Sequence, residues 1–282
     1  MAGRVPRWLL GCGIGCGVVI LVGAGLIVGS VLFFRNALQD FERADQTMET
    51  VEERYGPIET FRPQPDGAIP PQRMDAFLAV RERSAPAREN LDRSLSALSG
   101  RPGETPTRIG GLRRLVAGGR LLHQLAAFVD QRNEALLEAE MGLGEYYYLY
   151  TLTYYSWLGK PLDDGPSFKL VGENGYVLET IENIDESVVR DYRIEQVRGS
   201  LNRLLLPVLR NQRSDLAGGG LDRDWADVLS AEMAAMEANP RRLPWEDGLP
   251  QLIASSLEPY RGRLQESYSP MCNALEAGLA RR

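Results

Sequence analysis

Glu134, Glu138 and Glu145 lie within about 40° of one another when residues 108–158 are wound at roughly 100° per residue. Carboxylates gathered on one helix face can bind a hard cation, or raise one another's pKa for acid and base work. This face, however, stands opposite an apolar stripe of Leu121, Leu125, Phe128, Leu136, Leu143, Tyr146, Tyr150 and Trp157. An acidic line opposite an apolar stripe is what a half-buried amphipathic helix shows to water, so it is read as a solvated face and no metal site is assigned.

The same helix continues into EYYYLYTLTYYSWLG, residues 145–159, with six tyrosines and a tryptophan. Tyr146, Tyr150, Tyr154 and Trp157 fall on the core side and Tyr148 and Tyr155 nearly opposite. Aromatic residues on two sides predict either a central helix enclosed by neighbours or a surface that recruits a partner, lipid or aromatic ligand. Enclosure is the preferred expectation, with Arg132, inside the apolar stripe, and Glu145 as partners for the hydroxyls. The candidate ligand or partner residues are therefore Glu134, Glu138, Glu145, Tyr146, Tyr148, Tyr150, Tyr155, Trp157 and Arg132.

Other chemistries lack their parts. His123 is the sole histidine, and there is no Gly-x-Ser-x-Gly elbow, which excludes a serine-hydrolase triad of that type, a two-histidine zinc site and a diiron Glu-x-x-His pair. The strings at 163–166 (DDGP) and 173–175 (ENG) lack the ligand order of a calcium loop and read as turns. GCGIGCG places Cys16 where a dinucleotide fingerprint needs its last glycine. No catalytic residue and no cofactor is assigned.

The elements that position these residues begin with an anchor. Residues 8–34, WLLGCGIGCGVVILVGAGLIVGSVLFF, contain no charge and would span roughly 40 Å as a helix, more than the ~30 Å hydrocarbon core. The apolar run persists beyond the one plausible cleavage site at Val22-Gly23-Ala24, so the segment reads as an uncleaved transmembrane helix. Within it Gly11 and Gly15, Gly13 and Gly17, and Gly25 and Gly29 have the spacing that permits close helix association. Cys12 and Cys16 share a face as small hydrophobes.

Beyond the span the chain reads as all-α: a transmembrane helix followed by a helical-bundle ectodomain. Residues 1–7 form a short cytoplasmic amino terminus, 8–34 the membrane helix, 35–71 a stalk helix and proline-rich connector, and 72–282 the helical ectodomain. Helices are expected over about 72–98, with a break at Pro86, and over 108–158 with a join at Gly118-Gly119 and a bend or a close neighbour at Gly142 and Gly144. Further helices are expected over 177–195, 197–215 and about 222–238, then over 252–268 and 271–279. A short extended piece is expected at 168–171.

Arg4 and Arg7 concentrate positive charge before the span, which puts the amino terminus in the cytoplasm and the ectodomain on the periplasmic or extracellular side of a plasma membrane. The chain carries 32 basic and 38 acidic residues, and setting aside Arg4, Arg7 and Arg35 leaves a formal charge of about −9 for the outer part. That balance disfavours nucleic acid and anionic lipid surfaces as partners. Cys272 is the only cysteine outside the span, so no disulfide forms within one copy of the ectodomain. These features together suggest a membrane-anchored interaction or assembly module, with the lipid bilayer, an envelope protein or a second copy as partner. The alternative is a ligand- or metal-binding domain, possibly enzymatic, that uses the Glu/Tyr-rich face.

Overall fold

Ala44, Met48 and Val51 recur at helical spacing and are the buried side of helix α1, residues 39–55, in the computed structural model. The structure describes residues 39–99, 111–166, 169–170, 178–179, 186–219 and 223–278. Gly56 takes a left-handed φ of 82° where α1 ends. The connector after it, with one 3-10 turn at Ile58–Thr60, then runs back along the body with Ile58 and Ile69 buried. Residues 39–71, distinct in composition as stalk and connector, thus share the core of the helices that follow.

Pro71 opens α2, Pro71–Arg83, at the first helical position, where its missing N–H costs nothing. Ser84 separates it from α3, Ala85–Ser99, so the break falls two residues before Pro86, which sits in the first turn of α3. Helix α4, Gly111–Glu138, runs unbroken through Gly118-Gly119, contrary to the expected join. Two glycines cost a helix only about 2 kcal/mol, which the packing of a 28-residue helix against α2 and α3 outweighs.

The break comes instead after Glu138. Met141 donates from its amide to the Leu136 carbonyl at 2.9 Å, and Glu140 has a φ of 49°. A new helix, α5, Leu143–Tyr150, continues as a π-helical segment at Thr151–Trp157. All of α5 except Glu145 is buried, which makes it the central helix of the body.

A two-residue antiparallel ladder, β1 (Lys169–Leu170) with β2 (Leu178–Glu179), stands where an extended piece was expected; β2 and the start of α6 at Glu186 correct the helix expected from 177. Helix α6, Glu186–Gly219, passes through Pro207 as one element, with Leu204, Leu205, Val208 and Leu209 buried around the lost hydrogen bond. Helix α7, Arg223–Ala238, packs on α6. The link that follows is pinned by Glu232, which accepts from Arg242 at 3.0 and 3.1 Å and from the Trp245 amide at 2.9 Å. Helices α8 (Gln251–Leu257), α9 (Arg261–Glu266) and α10 (Pro270–Gly278) close the body.

The described residues therefore form an all-helical bundle apart from the small ladder. Among them no helix is long and apolar enough to cross a membrane. The span at 8–34, with Gly11, Gly13, Gly15, Gly17, Gly25 and Gly29, lies outside them.

Candidate functional site

The tyrosine helix reaches the centre of the body because two glycines let other chain segments lie against its start. A Cβ on Gly144 would come within 2.4 Å of the Ile58 carbonyl oxygen, and one on Gly142 within 2.8 Å of the Tyr55 Cβ. The wider π turn then sets the tyrosines. With i to i+5 bonding, as in the Leu158 amide to Thr153 carbonyl contact of 2.9 Å, Tyr154 and Tyr155 both come round to Tyr150, at ring separations of 4.8 and 5.9 Å.

Arg81 of α2 enters this cluster from the side. Its Nη1 donates to Glu276 Oε1 and Oε2 at 2.6 and 2.7 Å and to the Tyr146 hydroxyl at 2.9 Å, and its Nη2 donates to the Ser267 carbonyl at 2.6 Å. The guanidinium carbon stands 5.4 and 5.3 Å from the ring centres of Tyr150 and Tyr154. Asn273 Oδ1 accepts from Tyr150 at 2.9 Å and from Tyr155 at 2.7 Å, and the Tyr154 hydroxyl shares a 2.7 Å bond with Ser267 Oγ. This network ties α10 and the turn before it to the central helix.

Burial opposes the charge on Arg81, but the Glu276 carboxylate together with Tyr146, Tyr154 and Tyr150 outweighs it and holds the guanidinium well above its ordinary pKa. Glu276 is pushed up by burial and brought below its ordinary value by Arg81 and then Arg88. Arg88, itself buried, is lowered by desolvation and by the neighbouring charge of Arg81. Burial raises the hydroxyls of Tyr146, Tyr148, Tyr150 and Tyr155, so all four stay neutral at physiological pH. Tyr146, Tyr150 and Tyr155, held this way, are hydrogen-bonding pillars rather than proton carriers.

The acidic line does not assemble. Glu134 and Glu138 are exposed on α4, Glu138 paired with Arg83, whereas Glu145 lies beyond the helix break on α5. Winding one helix through residues 139–142 is what had aligned them. Glu145 instead accepts from Arg73 Nε at 2.6 Å and Nη2 at 2.5 Å. Among the described residues no group of three or more histidine, cysteine, aspartate or glutamate side chains could hold a metal.

Arg132 is fully buried and donates from Nη1 to the Tyr147 hydroxyl at 2.9 Å and from Nη2 to Asn133 at 3.0 Å, so it serves a tyrosine as expected. Glu145 does not, because Arg73 holds it. Trp157 is half-buried beneath the Arg261 guanidinium, 4.2 Å from its ring centre. Arg81, Glu276 and Asn273 escaped sequence reasoning; a signal existed, since Arg81 stands at the helical spacing of Met74, Phe77 and Leu78, as Arg132 does in its own stripe.

Two of the candidates do border an opening. Glu145 and Tyr148 line a cleft of about 230 Å³ between the connector and α5, together with Phe61, Arg73 and Leu149. The Tyr148 and Phe61 rings stand 5.7 Å apart. No family model matches the chain, and no curated protein or solved structure matches it.

Proposed function

We propose that this chain is a membrane-anchored helical interaction or assembly module of the cell envelope, without catalytic activity. Residues 8–34 hold it in the plasma membrane, the amino terminus faces the cytoplasm, and the helical body works on the periplasmic or extracellular side. The observation that carries the reading is the fate of the tyrosine helix. Tyr146, Tyr147, Tyr150, Tyr154 and Tyr155 are enclosed and bonded to Arg81, Arg132, Ser267 and Asn273, so they hold the body together and leave its surface to act. Its partners are an envelope protein or a second copy brought in through Gly11/Gly15, Gly13/Gly17 or Gly25/Gly29. Crosslinking of the full-length chain in its native membrane tests this. Capture of a specific envelope protein or of the homodimer supports it, and capture of neither overturns it.

A ligand-binding reading has its own support in the cleft beside Glu145 and Tyr148. Calcium or manganese titration with a thermal-melt readout tests its metal form, and an unchanged melt removes that form.

A further inference from the structure

We propose that the cleft between the connector and α5 is a binding site for a single carboxylate carried on a small apolar body, either a free aromatic acid or the carboxyl terminus of a peptide. The inference gives the ligand-binding reading of that cleft its chemical class and rests on that reading.

The chemistry starts from one hydroxyl. Tyr146 is bonded to Arg81, Tyr147 to Arg132, Tyr154 to Ser267, and Tyr150 and Tyr155 to Asn273. Tyr148 alone of these tyrosines makes no hydrogen bond to a described residue, although it is only 3% exposed and burial alone pushes its hydroxyl pKa up. A buried hydroxyl without a partner is costly. Because Tyr148 lines the cleft, a ligand seated there can supply the missing partner.

The other polar groups of the lining decide what that partner is. Its acceptors are engaged: the two oxygens of Glu145 take Arg73 Nε and Nη2, and the Gln64 carbonyl takes the Gly67 amide at 2.9 Å and Gln212 Nε2 at 2.7 Å. Its donors are spare. Arg73 Nη1 has no hydrogen-bond partner among the described residues, nor have Nε and Nη2 of Arg62, whose Nη1 meets Asp215. Spare N–H and O–H donors beside occupied acceptors select an acceptor, and guanidinium groups favour a planar anion such as a carboxylate. With Arg62 and Arg73 set against Glu145, the lining has a place for one negative charge.

The walls fix the body that carries it. Phe61, Ile69 and Leu149 are apolar, and the Phe61 and Tyr148 rings stand 5.7 Å apart, tilted by 52°, so they present aromatic surface to a flat group. Cavities of about 150 Å³ take up benzene, whereas drug-sized ligands need about 300 Å³ or more. A cleft of about 230 Å³ therefore holds one ring with its carboxylate, or the last residue of a peptide.

The test follows 4-fluorobenzoate and its neutral isostere 4-fluorobenzamide by fluorine NMR in the presence of the purified full-length chain. The acid should bind at least tenfold more tightly than the amide. Tyr148→Phe should weaken the acid about tenfold without lowering the melting temperature, since the hydroxyl it removes has no partner to lose. Arg62→Gln, at an exposed position, should weaken it about threefold. Displacement of the acid by Gly-Ala-Phe but not by the same peptide amidated assigns the site to a chain end, and displacement by neither peptide assigns it to a free acid. Equal affinity for acid and amide overturns the carboxylate and leaves the cleft standing as a ligand site, whereas binding of neither overturns the ligand-binding reading as well. Acid binding unchanged in both variants overturns the location, and a lower melting temperature for Tyr148→Phe overturns the unpaired hydroxyl on which the inference is built.

Discussion

Arg81 Nη1 lies 2.6 and 2.7 Å from the two carboxylate oxygens of Glu276, and neither side chain is exposed to solvent. The pair joins α2 to α10 across 195 residues of sequence, inside a cage of three tyrosines. Buried pairs of this kind contribute little net stability compared with apolar residues of equal volume, but they strongly penalise the loss of one partner. Their effect is on which packing is allowed: α10 seats only where its carboxylate meets the guanidinium.

Replacing one member should therefore cost far more than replacing both. Glu276→Gln is expected to destabilise the chain by about 4 kcal/mol, because Arg81 keeps its charge without a counterion. Arg81→Met combined with Glu276→Leu should recover most of that loss. Urea unfolding of the purified chain measures both, and equal losses in the single and double variants would contradict the account.

Stability should fall at both pH extremes for identifiable reasons. Glu276 has a folded pKa below its unfolded one, so its contribution is complete above the unfolded value of about 4.3 and is lost as pH falls through the folded value. Tyr146, Tyr148, Tyr150 and Tyr155 have folded pKa values above their unfolded ones. Their contribution is complete below about pH 10 and declines as pH rises toward the folded values, since only the unfolded state ionises there. Tyrosinate absorbance followed during alkaline titration should show these four ionising together with unfolding.

Much of the fold could be read from periodicity, because Leu121, Leu125, Phe128 and Leu136 do form one buried side of α4. Extending that period into α5 failed for the carboxylates. The left-handed Glu140 resets the helix phase, and nothing at a glutamate announces such a conformation. The join was expected at Gly118-Gly119, where the propensity cost is real but smaller than the packing it opposes, whereas a bend or a close approach was expected at Gly142 and Gly144, and Gly144 does admit the connector. At the buried network the difficulty is range: that Arg132 serves a tyrosine fifteen residues on is accessible to a helical wheel, whereas that Arg81 finds Glu276 depends on the whole chain path.

Cys272 should be chemically silent in the folded chain. It is fully buried, its thiol is pushed up to about 12 by burial, and its Sγ lies 3.5 Å from the Arg88 carbonyl oxygen. In a Cys12→Ala, Cys16→Ala background, maleimide labelling is expected to wait for unfolding, so the thiol cannot serve as a topology probe under native conditions. Rapid labelling of the folded chain would show that α10 opens readily.

The central position of α5 depends on Gly144, and two alanine substitutions separate that role from helix propensity. At Gly144 a methyl group would stand 2.4 Å from the Ile58 carbonyl oxygen and 2.6 Å from the Phe61 Cβ, and neither can recede without moving the connector off α5. Gly144→Ala should therefore cost about 3 kcal/mol, the upper range for overpacking a core, even though alanine favours helix. Gly262, within α9, has nothing within 4 Å of a built Cβ. Gly262→Ala should stabilise by up to about 1 kcal/mol through the reduced freedom of the unfolded chain. Opposite shifts in melting temperature for the two variants are the expected result. Similar stabilisation in both would mean that the connector does not press on α5, and would remove the physical reason for the cleft between them.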